Sequence, residues 1–166
     1  MKSWYVLYTK PRWEKKIAGV LASRGFESYC PLNRVERRWS DRRKTISEPL
    51  FRCYVFVRVS HDELYRPLEV NGVLNYIHWM KKPAPVKDHE IEDIRRFLSE
   101  YSEVHLEKTN IAVNDSVVIR YGPLMDKTGK VTLVKENYVK VAIRSLGYSL
   151  VASVSRTGIR KLESIS

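Results

Sequence analysis

The chain is poor in the residues that build disulfide-stapled, membrane-spanning and catalytic frameworks. Two cysteines stand in 166 residues. Cys30 and Cys53 lie in apolar, strand-like surroundings without ligand spacing, which argues against a disulfide scaffold and fits buried thiols in a reducing compartment. No apolar run approaches the roughly 18 residues that a membrane helix needs, so no membrane partner is expected. Met1-Lys2-Ser3-Trp4 leads straight into strand-like sequence without signal-peptide character, and the expected location is cytoplasmic. The seven glycines form no phosphate-cradling loop, and no nucleophile motif is present. His61, His78, His89 and His105 are scattered. Nothing here supports an enzyme, and no cofactor is expected. His89, Glu90, Glu92 and Asp93 do cluster, but acidic residues in a first helical turn answer the helix dipole, so no metal is expected.

Acidic residues are scarce too: 30 Lys/Arg face 19 Asp/Glu, a net charge of +11. Such an excess favours an anionic partner, of which nucleic acid is the usual one. The excess is concentrated. Residues 1–58 carry 14 basic and 5 acidic side chains, residues 59–106 carry 6 and 9, and residues 107–166 carry 10 and 5. Between Arg34 and Lys44 six basic residues meet only Glu36 and Asp41, with Trp39 in their midst. This is either a solvated hairpin tip or a basic finger with a stacking aromatic; Arg42 and Arg43 are its candidate nucleic-acid contacts.

What is present in abundance is β-branched and aromatic sequence. Phe51 to Val59 reads as a strand bounded by a turn at Pro49. Alternation puts Phe51, Cys53, Val55, Val57 and Val59 on one face and Tyr54, Phe56 and Arg58 on the other. Trp4–Thr9 is a first strand, with Trp4, Val6 and Tyr8 opposite Tyr5 and Leu7. Pro11 suits the first turn of a helix, Trp13, Ile17, Val20 and Leu21 make its apolar stripe, and Gly25 is its stop. Phe26–Leu32 reads as a strand. Ser60 and Glu63 have capping-box spacing for a short helix with Leu64 and Leu68 inward. Val73–Met80 reads as a strand, 81–86 as a loop, and Asp88 as the cap of a helix carrying Ile91, Ile94, Leu98 and Tyr101. Close-spaced β-rich runs at Val117–Ile119, Val131–Val134, Val139–Ile143 and Leu150–Val154 predict a small barrel. The fold class is therefore α+β followed by a small all-β domain.

Residues 113–131, with the Gly122-Pro123 turn and Gly129, resemble a KOW motif. Trp4–Thr9, the Pro49-Leu50-Phe51-x-x-Tyr54-Val55-Phe56-Val57 run and Asn71-Gly72-Val73 resemble the N-terminal domain of the NusG family. The ordered combination covers nearly the whole chain. Residues 42–51 resemble the specialised RfaH and UpxY-type antiterminator branch more than the housekeeping one. The resemblance implies an antiparallel N-terminal sheet flanked by helices over 1–103, a linker over 104–112 and an SH3-like KOW barrel over 113–166. It implies a monomeric transcription elongation factor that docks on the clamp helices of RNA polymerase through Tyr8, Phe51, Tyr54 and Phe56, with Ser60–Pro67 touching the opposite side of the cleft. It further implies that Lys10, Arg12, Trp13, Lys16 and Asn71 meet the exposed non-template DNA strand. The barrel would recruit a small-subunit ribosomal protein or Rho. Arg52 and Cys53 depart from the family pattern, in which proline follows the phenylalanine and glycine or asparagine is common next. A KOW-containing RNA- or ribosome-binding module without polymerase contact is the alternative.

Overall fold

The computed structural model describes residues 1–108 and 138–153. Its centre is an antiparallel sheet in the order β2 (Glu27–Tyr29), β5 (Tyr54–Ser60), β1 (Lys2–Thr9), β6 (Val73–Tyr76), with β9 (Pro85–Val86) also pairing β1. The alternation read from the sequence holds in β1 and from Tyr54 onward in β5. Leu7, Val55, Val57 and Val59 bury on one side with Ile17 and Leu21 of α1 (Glu14–Ser23). Trp4, Val6 and Phe56 bury on the other with Ile91, Ile94 and Leu98 of α2 (Asp88–Glu100). Each apolar face thus finds a helical cover, at about 1.5–3 kcal/mol per large side chain removed from water.

The chief correction concerns residues 51–53. The strand begins at Tyr54, not Phe51, because Cys53 has φ 66° and turns the chain. Phe51 consequently leaves the valine face and packs edge-on against Phe56, ring centroids 5.8 Å apart. A second positive φ, 69° at Arg12, delays the first helix. Left-handed backbone cannot continue a right-handed helix, so Pro11 lies in a turn, Trp13 takes the N-cap position and Glu14 is the first helical residue. The stop at Gly25 is as expected, with φ 88° and Phe26 N–H returning to the Leu21 carbonyl at 3.0 Å.

Other boundaries shift for local reasons. The strand expected from Phe26 to Leu32 shortens to β2. Ser60 precedes a 3-10 turn, His61–Glu63, without a side-chain cap bond, and Pro67 opens a second one, Pro67–Glu69. Proline lacks the N–H that a continuous helix would need there, and Leu68 is left exposed rather than inward. The strand expected through Met80 ends at Tyr76. It is followed by a tight hairpin, β7 (His78–Trp79) and β8 (Lys82–Pro83), turning on Met80 and Lys81 with φ 53° and 66°. At α2 the N-cap is Lys87 rather than Asp88, and Glu90 closes the turn by accepting the Lys87 N–H at 3.0 Å.

The basic run forms a ribbon, β3 (Leu32–Trp39) paired with β4 (Arg42–Pro49). A three-stranded sheet follows in the order β10 (His105–Lys108), β12 (Tyr148–Ser153), β11 (Tyr138–Ile143). The stretch 104–112 read as a linker therefore contains β10. Val139, Val141, Ile143, Leu150 and Ala152 share the buried cluster of Trp4, Phe56 and α2. Ser145 ties this sheet to α2, its N–H donating to Glu90 Oε2 at 3.0 Å and its hydroxyl to Oε1. The KOW-like stretch 113–131 and the strands expected at Val117–Ile119 and Val131–Val134 lie outside the described residues.

Candidate docking face and nucleic-acid interface

Where β1 ends and β5 begins, Tyr8 stands directly across from Tyr54. Tyr8 is 43% exposed and Tyr54 is half-buried. Phe51 stacks behind Tyr54 at 6.0 Å with rings 15° apart. These rings border a crevice of about 590 Å³ that Leu106 and Tyr148 also line. Burial, then the neighbouring Tyr148, Tyr8 and Cys53, pushes the Tyr54 hydroxyl pKa up, so it remains a hydrogen-bond donor at neutral pH. The four docking candidates thus divide by exposure. Tyr8 and Tyr54 offer surface, Phe51 is buried but lines the crevice, and Phe56 is fully buried in the core. Truncating a residue like Phe56 typically costs about 3–5 kcal/mol.

The Cys53 turn that aims Tyr54 is held at both backbone groups. Its N–H donates to Glu14 Oε2 at 2.8 Å, and its carbonyl accepts from Thr9 N–H at 2.8 Å. Glu14 is itself buried, so its carboxylate serves as an internal partner for the turn.

The start of α1 gathers the other candidates. Lys10 and Lys16 place their Nζ atoms 5.5 and 4.7 Å from the Trp13 ring. Lys10 N–H donates to the Gly72 carbonyl at 2.9 Å, which brings Asn71 beside this group. Gly72 has φ 99°, and a Cβ there would fall 2.5 Å from Trp13 Cε3. Only glycine allows that approach. Trp13 is therefore partly committed to packing, while Lys10, Arg12, Lys16 and Asn71 remain exposed. Arg42 and Arg43 are not in this cluster. They stand at the ribbon tip, Arg42 over Trp39 and Arg43 paired with Glu36 at 3.5 Å.

Three polar residues that shape the site carry no signal in the sequence. Glu14 reads as helix surface. Asn33 is buried, with Nδ2 donating to the Val104 carbonyl at 2.7 Å and Oδ1 accepting Val104 N–H at 3.0 Å. Arg34, the first residue of the basic run, donates instead to carbonyls of Leu98, Ser99 and Tyr101 at the end of α2, where a cation meets the negative end of the dipole. Among the described residues no group of three His, Cys, Asp or Glu is placed to hold a metal, and no helix is long and apolar enough to cross a membrane.

Comparison with known proteins adds a sequence-wide match. The NusG family model, described as transcription termination factor nusG, matches residues 2–95. The transcription termination/antitermination protein NusG of Streptococcus pyogenes is 29% identical, with 97% of each chain covered. Its Vibrio vulnificus counterpart is 26% identical over 98% of this chain and 97% of its own. The NusG structure of Thermotoga maritima, solved for its domain interaction, matches with TM-score 0.50 and 21% identity over 95% of this chain and 96% of its own. That likeness shows the fold.

Proposed function

This chain belongs to the NusG family of transcription termination/antitermination factors, which are not enzymes, and on that premise we propose that it is an elongation factor acting as an antiterminator. It docks on the clamp helices of RNA polymerase through Tyr8 and Tyr54, with Phe51 lining the same crevice and Phe56 supporting it from the core. The observation that carries this reading is the Tyr8–Tyr54 pair, an exposed and a half-buried amphipathic ring side by side where an otherwise covered sheet ends. Such rings are the usual anchors of a protein interface. Bridging the polymerase cleft from this anchor suppresses pausing or termination. The cationic start of α1, with Lys10, Arg12, Lys16, Trp13 and Asn71, lies against the non-template DNA strand, and Arg42 and Arg43 extend that charge. Residues 42–51 support membership of the RfaH/UpxY-type branch. The C-terminal domain, 113–166, recruits a ribosomal small-subunit protein or Rho.

Binding to an isolated clamp-helix fragment tests the docking face. Tyr54→Ala is expected to weaken it by about 2 kcal/mol, roughly thirtyfold in Kd, as for an interface anchor. Lys10→Ala with Arg12→Ala should leave that affinity intact and reduce pause suppression on DNA templates. An unchanged affinity in Tyr54→Ala would refute the docking assignment. RNA binding that survives Tyr54→Ala in a protein with no affinity for polymerase would favour the ribosome-associated alternative.

A further inference from the structure

Among the described residues, the β3–β4 ribbon has hydrogen-bonding partners from the rest of the chain only toward its base. Asn33 and Arg34 hold Val104 and the end of α2, Lys15 donates to the Ser47 carbonyl at 2.6 Å, and Glu36 N–H donates to the Glu103 carboxylate. From Glu36 through Thr45 every residue is exposed. The register pairs Arg37 with Lys44, Arg38 with Arg43 and Trp39 with Arg42. Because cross-strand partners share a face and neighbours alternate, Trp39, Arg42, Arg37 and Lys44 stand on one face. Arg42 and Lys44 lie 5.9 and 5.4 Å from the Trp39 ring, which is 47% exposed. The turn residues Ser40 and Asp41 have no positive φ, so this is not a primed turn that follows the twist of the strands. The tip opens into a concavity of about 630 Å³ lined by residues from Arg38 to Arg43. Carboxylates occupy Arg37 and Arg43, paired with Glu48 at 2.9 Å and Glu36 at 3.5 Å. Arg38, Arg42 and Lys44 have no ion pair among the described residues.

We propose that this tip is a single-stranded nucleic-acid finger, stacking one unpaired base on Trp39 while Arg42 and Lys44 hold the adjoining phosphates. A solvated charge run has no use for a tryptophan, and an apolar protein partner would have to bury two unpaired cations with it. An unpaired strand supplies both a π-face for the ring and phosphates for its rim, whereas a duplex hides its base faces. The finger rests on the nucleic-acid-facing role given above and adds a contact distinct from the α1 cluster. Ser47, the residue that α1 holds, lies five steps along extended β4 from the tip at Arg42, or about 17 Å at ~3.4 Å per residue.

The test is fluorescence anisotropy of the full-length chain with labelled oligothymidylate and with a duplex, across a salt series. Trp39→Ala should weaken oligothymidylate binding at least about fivefold with the salt slope unchanged, since stacking carries no charge. Trp39→Phe should recover most of the loss. Arg42→Ala with Lys44→Ala should flatten the log–log salt slope by about 0.7 per cation removed. Equal affinity of Trp39→Ala and the parent overturns the finger, and so does a duplex bound as tightly as the single strand. If Lys10→Ala with Arg12→Ala loses affinity while Trp39→Ala does not, the α1 contact stands and the finger alone falls. If the parent binds no oligonucleotide, both nucleic-acid contacts fall, while the Tyr54 docking result is decided separately.

Discussion

Removing the Asn33 side chain is the sharpest test of how the ribbon is joined to the body. Asn33 and Val104 are both buried, at 6% and 5% exposure, and the amide satisfies both backbone groups of Val104. In Asn33→Ala a buried N–H and a buried carbonyl lose their partners together. Each orphaned group costs about 1–3 kcal/mol, so the loss is about 2–6 kcal/mol within a total stability of the order of 5–15 kcal/mol. For a chain of this length that lowers Tm by roughly 4–24 °C, at about 2–4 °C per kcal/mol. Urea unfolding followed by circular dichroism should show the midpoint falling with the m-value unchanged. Asn33→Asp should be no better, because it keeps an acceptor for Val104 N–H but buries a charge beside the Val104 carbonyl. A loss below about 0.5 kcal/mol in Asn33→Ala, the range of an ordinary surface change, would refute the reasoning.

The Cys53 turn gives a paired prediction. Cys53→Gly relieves a positive-φ residue and should be neutral to about 1 kcal/mol stabilising after the entropy of the freer unfolded chain is subtracted. Cys53→Val, β-branched in the same conformation, should lose at least about 1 kcal/mol; equal urea midpoints for the two variants would contradict the strain. A third prediction concerns alkaline pH. Burial pushes the Cys30 thiol up from 9.0 to about 11, with Glu14 adding to it, and pushes Tyr29 up from 10.0 to about 12. The folded state favours the neutral forms of both, so their contribution is complete below about pH 9. It is lost as pH rises, through 11 for Cys30 and 12 for Tyr29. Cys30→Ser with Tyr29→Phe should make the urea midpoint fall less steeply between those limits, and an equally steep fall in the double variant would contradict it.

Periodicity made most of the central sheet legible before any coordinates. Alternating apolar residues decide which face of β1 and β5 meets which helix, and hydrophobic burial enforces that alternation. It failed at Phe51, because a single left-handed residue inverts the parity of everything before it. Cys53 gives no compositional warning of that conformation. Its only sign is the family resemblance, which implies glycine or asparagine at this place, both of which tolerate positive φ. Arg34 was misread for a different reason. Its charge is identical to that of its neighbours in the run, and only the position of the end of α2 converts it from a finger residue into a helix cap. Tyr54 and Phe56 show the same limit within the candidate site. Two residues apart on one face, they differ because the cover of α2 and the C-terminal strands reaches one and stops short of the other.

The buried cluster that joins Trp4, Phe56 and α2 to Val139, Val141, Ile143, Leu150 and Ala152 has a calorimetric consequence. Two layers with separate cores melt as two endotherms, whereas layers sharing one core lose it together. The described parts of this chain should absorb heat in a single peak, with equal van't Hoff and calorimetric enthalpies. A fragment ending before β10 would present the apolar side of α2 to water, and such a patch promotes association between copies. The C-terminal strands are therefore a structural partner of the first sheet, and they line the same crevice as Tyr8 and Tyr54.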